Sequence, residues 1–315
     1  MTRPVAALTG ASGFLGRRLA QLLDRDGWRV RALVRRPLDM ALWDGPTPEL
    51  VEGHLADGAS LRQLVAGAEL VIHCAGAVSA RDRTGFFAAN ATGAGNMAEA
   101  VAAAAPAAHM VLVSSLAARE PQLSDYAASK RAGEQAAQNA LPADRLTVIR
   151  PPAIYGPGDR ATLDIFRLAA RSPVLPILAA PGARLALAHV DDVAAEILRQ
   201  GGNPTTQGIF AIGGARPDGY GWREIMSAAA EAIGRQPRLI PIAPWALSTA
   251  GQVLGLAGAV VGQAPMLSPG KVREMLHPDW SVSPQELASQ ALPAHFDLQA
   301  GFADTVAWYR AKGWL

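Results

Sequence analysis

Residues 9–16 read TGASGFLG, with Gly10, Gly13 and Gly16 three apart, directly after the apolar run Val5, Ala6, Ala7 and Leu8. Three glycines among 31 fall at such spacing by chance, so the flanks carry the reading. Upstream, VAAL is short, apolar and bounded by a breaker, as expected of a strand buried on both faces of a parallel sheet. Downstream, Phe14, Leu15, Leu19, Leu22 and Leu23 repeat at helical spacing, and Gly27 closes that helix before the apolar stretch WRVRALV. In such a strand, loop, helix and strand unit the glycines permit a tight turn and close backbone approach. The helix N-terminus then offers unpaired N–H groups and a positive dipole end to a pyrophosphate. The plainer alternative is a small-residue turn in an α/β protein.

The rest of the chain repeats the alternation. Apolar strand candidates recur at Val5 to Leu8, Val30 to Val34, Leu70 to His73, Met110 to Val113 and Leu146 to Ile149, with helical patterns between them. That order predicts an α/β fold with a Rossmann-like, doubly wound parallel sheet whose ligand crevice lies at the carboxyl ends of the strands. The alanine-rich NATGAGNMAEAVAAAA reads as a helix, because Ala is the best helix former. After about Pro157 prolines cluster and strand candidates thin out, which predicts a smaller C-terminal substrate lobe. The expected division puts 1–170 in the dinucleotide-binding lobe, with 184–212 returning to it through LALAHVDDVAAEIL and GIFAI. Residues 171–183 and 213–315 form the substrate lobe.

At 315 residues the chain has ample length for a buried core. Its 29 basic and 27 acidic residues leave a net charge of +2 with no long run of either sign, so no nucleic-acid partner is expected. The single cysteine, Cys74, lies inside LVIHCAGAV and reads as a buried structural thiol. The first strand begins within about five residues of the N-terminus, with no apolar segment of signal-peptide length, and a cytoplasmic location is expected. The six histidines are scattered with no pair at ligand spacing, so no metal is expected.

From Leu239 to Gly270 there is no charged residue. Pro241 and Pro244 break its start, and glycines and polar residues dilute its middle. It reads first as a buried or substrate-covering apolar helix, next as a peripheral membrane contact, and least as a membrane span.

The segment LVSSLAAREPQLSDYAASKRAGEQ carries the chemistry. Ser114 and Ser115 end a strand, and Tyr126 stands four residues before Lys130, a spacing that puts both on one helix face. A phenol is mostly protonated at neutral pH, and a nearby ammonium favours the phenolate. Tyr126 is then suited to exchanging a proton with a substrate oxygen that a serine hydroxyl holds in place.

Taken together, TGASGFLG, the strand-end SS, YAASK, RPPAIYGPGD and HVDDVA stand in an order that resembles the extended branch of the short-chain dehydrogenase/reductase superfamily, over essentially the whole chain. The resemblance implies a nicotinamide dinucleotide held by the loop residues Gly10, Ser12, Gly13, Phe14, Leu15 and Gly16. It implies Tyr126 as catalytic acid/base, and Lys130 as ligand of the nicotinamide ribose that lowers the Tyr126 pKa. By the same resemblance Ser115 is expected to polarise the reacting oxygen, with Ser114 as the alternative. Asn90 matches a family asparagine that supports the site, its other reading being a helix-face hydrogen bonder. The resemblance also puts Ala75 and Gly76 in the loop that packs against the adenosine side, and Pro151 at the opening of the loop that borders the nicotinamide. Asp191 and Asp192 are structural by the same resemblance, which also implies a homodimer through a bundle containing the Tyr126 helix.

Two departures matter. NAD-specific members of such folds place an acidic residue about 20 positions beyond the glycine loop. Arg35 and Arg36 stand there instead, which favours NADP(H) over NAD(H) through guanidinium contacts to a 2′-phosphate. The other reading leaves both arginines in solvent. In EGHLAD, His54 replaces a frequent family aspartate, so Asp57 is the remaining candidate for adenine contact.

Family members with this constellation include carbonyl reductases and hydroxysteroid-type dehydrogenases as well as sugar-nucleotide epimerases and dehydratases. Ile240, Ile242, Trp245, Leu247, Val253, Leu254 and Leu256 supply apolar surface without charge, and favour an apolar small-molecule substrate. The expected function is an NADP(H)-dependent oxidoreductase acting on a carbonyl or secondary alcohol. The alternative is an NAD-dependent sugar-nucleotide epimerase or dehydratase.

Overall fold

A computed structural model describes residues 3–43, 45–202, 207–249, 252 and 268–315. Val253, Leu254 and Leu256 of the uncharged stretch lie outside the described residues. The chain divides into two compact units, Met1–Arg150 with Ala194–Phe210, and Pro151–Val193 with Ala211–Leu315.

In the first unit β1 (Val5–Thr9), β2 (Arg29–Val34), β3 (Glu49–Glu52), β4 (Leu70–His73), β5 (His109–Val113) and β6 (Leu146–Arg150) pair in parallel, each expected apolar run falling on a strand. The spatial order across the sheet is β6, β5, β4, β1, β2, β3. The chain therefore winds outward from β1, returns, and winds the other way from β4. The crevice opens where that direction reverses, outside the carboxyl ends of β1 and β4. Runs such as VAALT and LVIH are buried at every position, as a sheet covered on both faces requires. β3 escapes the sequence pattern because only Val51 of ELVE is buried, and it forms the sheet edge.

Helices α1 (Phe14–Arg25), α2 (Gly58–Val65), α3 (Arg83–Phe87), α4 (Gly93–Ala104) and α5 (Asp125–Ala140) link these strands. Leu15, Leu19 and Leu23 form the buried stripe of α1, and Gly27, at φ +86°, lets the chain leave it. The alanine-rich segment is helical as expected, but α3 runs into α4 through a π-helical turn at Ala88–Thr92. One core holds Leu61, Leu64, Val71, Met97, Val101, Met110 and Val148.

The second unit has short strands: β7 (Ala153–Tyr155), β8 (Val174–Ile177), β9 (Arg184–Leu185) and β10 (Leu187–His189). After α6 (Leu163–Arg171) and α7 (Val190–Gly201), β11 (Gly208–Ala211) joins the large sheet beside β6. Then come β12 (Tyr220–Gly221), α8 (Trp222–Ile233), β13 (Arg238–Pro241), α9 (Pro269–Leu276), β14 (Asp279–Trp280) and α10 (Leu298–Ala311). Residues 151–170, 184–193 and 211–212, expected with the first lobe, group with the second unit. Tyr155, Phe166 and Leu187 bury themselves against Tyr220, Phe302 and Tyr309, and this aromatic cluster draws the boundary back to Arg150.

Candidate active site

The glycine loop has the shape its sequence predicts. Gly10 sits at φ +81°, and a Cβ there would come within 2.8 Å of the Ala75 nitrogen. A methyl at Gly16 would stand 2.0 Å from the Gly10 carbonyl oxygen, so α1 begins as close to the loop as backbone allows. Gly13 caps α1 with no side-chain hydrogen bond, which leaves the first-turn N–H groups for a ligand. The Leu15 side chain is buried, so its backbone N–H is what it offers, while Ser12 is exposed and Phe14 half-buried. This cradle fits a dinucleotide pyrophosphate.

Sheet register builds the next wall. Thr9 and His73 end β1 and β4 as direct partners, and Thr9 Oγ1 lies 2.8 Å from His73 Nδ1. The same hydroxyl accepts the Ala75 N–H at 3.1 Å, which ties the turn after β4 to the end of β1. Burial and then the Lys130 charge hold the His73 pKa down at about 3. The half-buried Cys74 has its thiol pushed up to about 12 by desolvation, which makes it an unreactive thiol at neutral pH.

Asn90 lies in the π-helical turn and is 3 % exposed. Its Oδ1 accepts the Ala77 N–H at 2.7 Å, and its Nδ2 donates to the Ala77 carbonyl at 3.0 Å and to Ser129 Oγ at 2.9 Å. Ser129 in turn donates to the Tyr126 carbonyl at 2.7 Å. Asn90 thus ties the loop after β4 to α5 through Ser129. Gly133 makes this approach feasible, since a Cβ there would meet the Asn90 carbonyl at 2.3 Å.

Tyr126 and Lys130 lie on α5, which Ser124 caps by accepting the Ala127 N–H. Lys130 is 8 % exposed, and its Nζ donates to the Val113 carbonyl at 2.8 Å, at the end of β5. A Cβ on Gly76 would lie 3.7 Å from that Nζ and 2.8 Å from Asn90 Oδ1. Lys130, Asn90 and Gly76 therefore share one wall of the crevice. Desolvation lowers the Lys130 pKa to about 8, against the opposing pull of Cys74 and Glu134. Tyr126 is half-buried and meets Phe86 edge to face.

The two serines part ways. Ser114 is buried and donates to Glu134 Oε1 at 2.5 Å, whereas Ser115 is half-buried and caps a short turn by accepting the Ala117 N–H. Sequence reading misses Glu134, which is 1 % exposed and takes a bidentate bond from Arg150 at 2.8 and 2.6 Å. Its signal is spacing: it follows Lys130 by one helical turn, on the buried face of α5. This group fastens the ends of β5 and β6 to the helix that carries Tyr126.

Arg35 and Arg36 are exposed just beyond β2, on the same side of the sheet as the glycine loop. Asp57 serves locally as the N-cap of α2, accepting from the Ala59 and Ser60 N–H groups, and these bonds lower its pKa. Ala75 is half-buried, Gly76 exposed and Pro151 buried. In the second unit Asp192 accepts the N–H groups of His295 and Phe296, in line with the structural part the sequence suggests for it. Asp191 donates its backbone N–H to His189 Nδ1 at 3.3 Å.

Residues 6–213 match the NAD dependent epimerase/dehydratase family. A protein of Caulobacter vibrioides (strain NA1000 / CB15N) named ceramide reductase is 47% identical over 313 residues, 99% of this chain and 96% of that one. The crystal structure of human epimerase family protein SDR39U1 (isoform2) with NADPH superposes with a TM-score of 0.74 at 17% identity, over 96% of this chain and 99% of the other. MoeE5 in complex with UDP-glucuronic acid and NAD gives a TM-score of 0.72 at 21% identity, over 98% and 99%. At such identities the two structures speak for the fold.

Proposed function

The chain belongs to the NAD dependent epimerase/dehydratase family, within the extended branch of the short-chain dehydrogenase/reductase superfamily, and we propose that it is an NADP(H)-dependent reductase of a ceramide-type lipid carbonyl. The observation that carries this reading is the whole-length similarity to a reductase, 47% identical over 99% of the chain. The nucleotide-sugar proteins among the structural neighbours share the fold at about half that identity, so they carry less weight for substrate.

The residues divide the work. The first-turn N–H groups of α1 and the backbone of Gly10 to Gly16 hold the pyrophosphate, and Arg35 and Arg36 take the 2′-phosphate. When bound, the nicotinamide supplies or accepts a hydride. Ser115 donates a hydrogen bond to the substrate oxygen, and Tyr126 delivers the proton that this oxygen gains on reduction. The Lys130 ammonium, held at the Val113 carbonyl, stabilises the phenolate left on Tyr126. Asn90 keeps the loop wall and α5 together while this happens. A homodimer through α5 belongs to the same reading.

Titration of nucleotide-stripped protein with NADPH and NADH, followed by turnover on a ceramide-type ketone and on a UDP-sugar, tests the proposal. Tighter NADPH binding, with NADPH oxidation driven by the lipid ketone, is expected. Preference for NADH together with turnover of the nucleotide sugar would overturn it in favour of an epimerase.

A further inference from the structure

We propose that the face of the second unit formed by β8, β13 and Trp245 docks on an anionic lipid bilayer. The two strands pair in parallel, with Arg238 beside Val174 and Ile240 beside Pro176. Side chains alternate across a strand, and Leu175 and Ile177 point inward, where Leu175 meets Ala169, Met226 and Ala230. The opposite face carries Val174, Pro176, Arg238 and Ile240. The Ile242 N–H donates to the Ile177 carbonyl, which extends the pairing to Ile242 on that same outer face.

A short helical segment follows at 244–249, and it is built to hide polarity. Leu247 is buried, while Trp245 on the other side is 74 % exposed. Ser248 and Thr249 donate their hydroxyls to the Pro244 and Trp245 carbonyls one turn back. Hydroxyls already bonded to the backbone cost less to bring into an apolar medium.

Charge then identifies the partner. From Ala232 to Arg273 the sequence holds four cations, Arg235, Arg238, Lys271 and Arg273, and no acidic residue. Arg235 and Arg238, with Arg171 just before β8, are exposed and make no side-chain ion pair among the described residues. A protruding indole and uncharged aliphatic surface rimmed by unpaired arginines matches the interface of a bilayer with anionic headgroups. No described helix is long and apolar enough to cross a membrane, and the proposed contact is interfacial. The proposal makes no use of the reaction, so either can fail without the other.

Co-sedimentation of the purified full chain with phosphatidylcholine vesicles, with and without phosphatidylglycerol, tests it. Binding is expected only when phosphatidylglycerol is present, and it should fall with added salt. Trp245→Ser should weaken it about tenfold. The pair Arg235→Gln and Arg238→Gln should weaken it by about fivefold per arginine. Both variants change exposed side chains, and unchanged circular dichroism and Tm would show that they fold. Equal binding to neutral vesicles, no binding to either kind, or a Trp245→Ser protein that binds as the parent does would each overturn the proposal. A dimer in light scattering that Trp245→Ser dissociates, without vesicle binding, would assign the face to a second copy of the chain instead.

Discussion

In the first unit β1, β2, β4, β5 and β6, of four to six residues each, are buried along most of their length, and polar side chains collect at their carboxyl ends. In the second unit strands are two to four residues long, and Tyr155, Phe166, Phe302 and Tyr309 meet edge to face in an aromatic cluster. The fastening there is long-range: the Tyr309 hydroxyl donates to the Asp159 carbonyl at 2.5 Å, 150 residues away. The first unit is thus organised by backbone pairing and leaves its polar groups at strand ends. The second is organised by side chains, so its stability and its surface follow from individual residues rather than from a repeated pattern.

The sharpest way to break this contrast is Tyr126→Phe. It removes one half-buried hydroxyl from the first unit, and turnover should fall about a thousandfold, near 4 kcal/mol in activation free energy, with Tm unchanged. Retained turnover would end the assignment of Tyr126. Phe302→Ala addresses the other side. Phe302 is buried between Tyr155 and Phe166 at 4.9 and 5.2 Å, and urea denaturation should show a loss of about 3 kcal/mol. A loss below about 1 kcal/mol would mean that the aromatic cluster closes over the gap and does not organise the unit.

The smallest effect, about 2 kcal/mol at pH 5 relative to pH 7, concerns acid. Burial pushes both His73 and His189 down, but His73 faces Lys130, while Asp191, Asp304 and Asp192 pull His189 back up. His73 binds no proton in the fold until pH falls to about 3, against 6.5 ordinarily. The unfolded chain takes up that proton first. The stability that a neutral His73 confers is therefore complete above pH 6.5 and declines below it by about 1.4 kcal/mol per pH unit, until about pH 3. Hydrogen exchange at pH 5 and 7 should show the greater loss of protection in the first unit, and His73→Gln should remove most of that difference.

The sequence discloses the first unit well for a physical reason. Strands covered on both faces need uninterrupted apolar runs, and VAALT, LVIH and HMVLV stand out against any background. Gly10 and Gly16 are legible because no other residue fits where a Cβ meets backbone. Glu134 is harder to see, since a glutamate on a helix reads as solvated until Arg150 and Ser114 are known to converge on it. Asp57 shows the limit from the other side: a residue singled out for a ligand has a sufficient local task in capping α2. In the second unit, β9, β12 and β14 are two residues long, too short for any period to register. Their partners are distant in the chain, Tyr220 with Leu185 at 35 residues and Asp279 with Arg184 at 95, which no local pattern announces.

The π-helical turn at Ala88–Thr92 can be viewed as one surplus residue in an otherwise ordinary helix running from Arg83 to Ala104. Each residue advances a helix by about 100°, so deleting one there would restore regular winding while rotating everything on one side of the turn against the other. Asn90 would swing away from Ala77 and Ser129, and the repaired helix would be the more regular one. Winding regularity and the Asn90 bonds are therefore opposed at this point, and selection for stability alone would tend to erase the irregularity that keeps Asn90 in phase with Ala77 and Ser129.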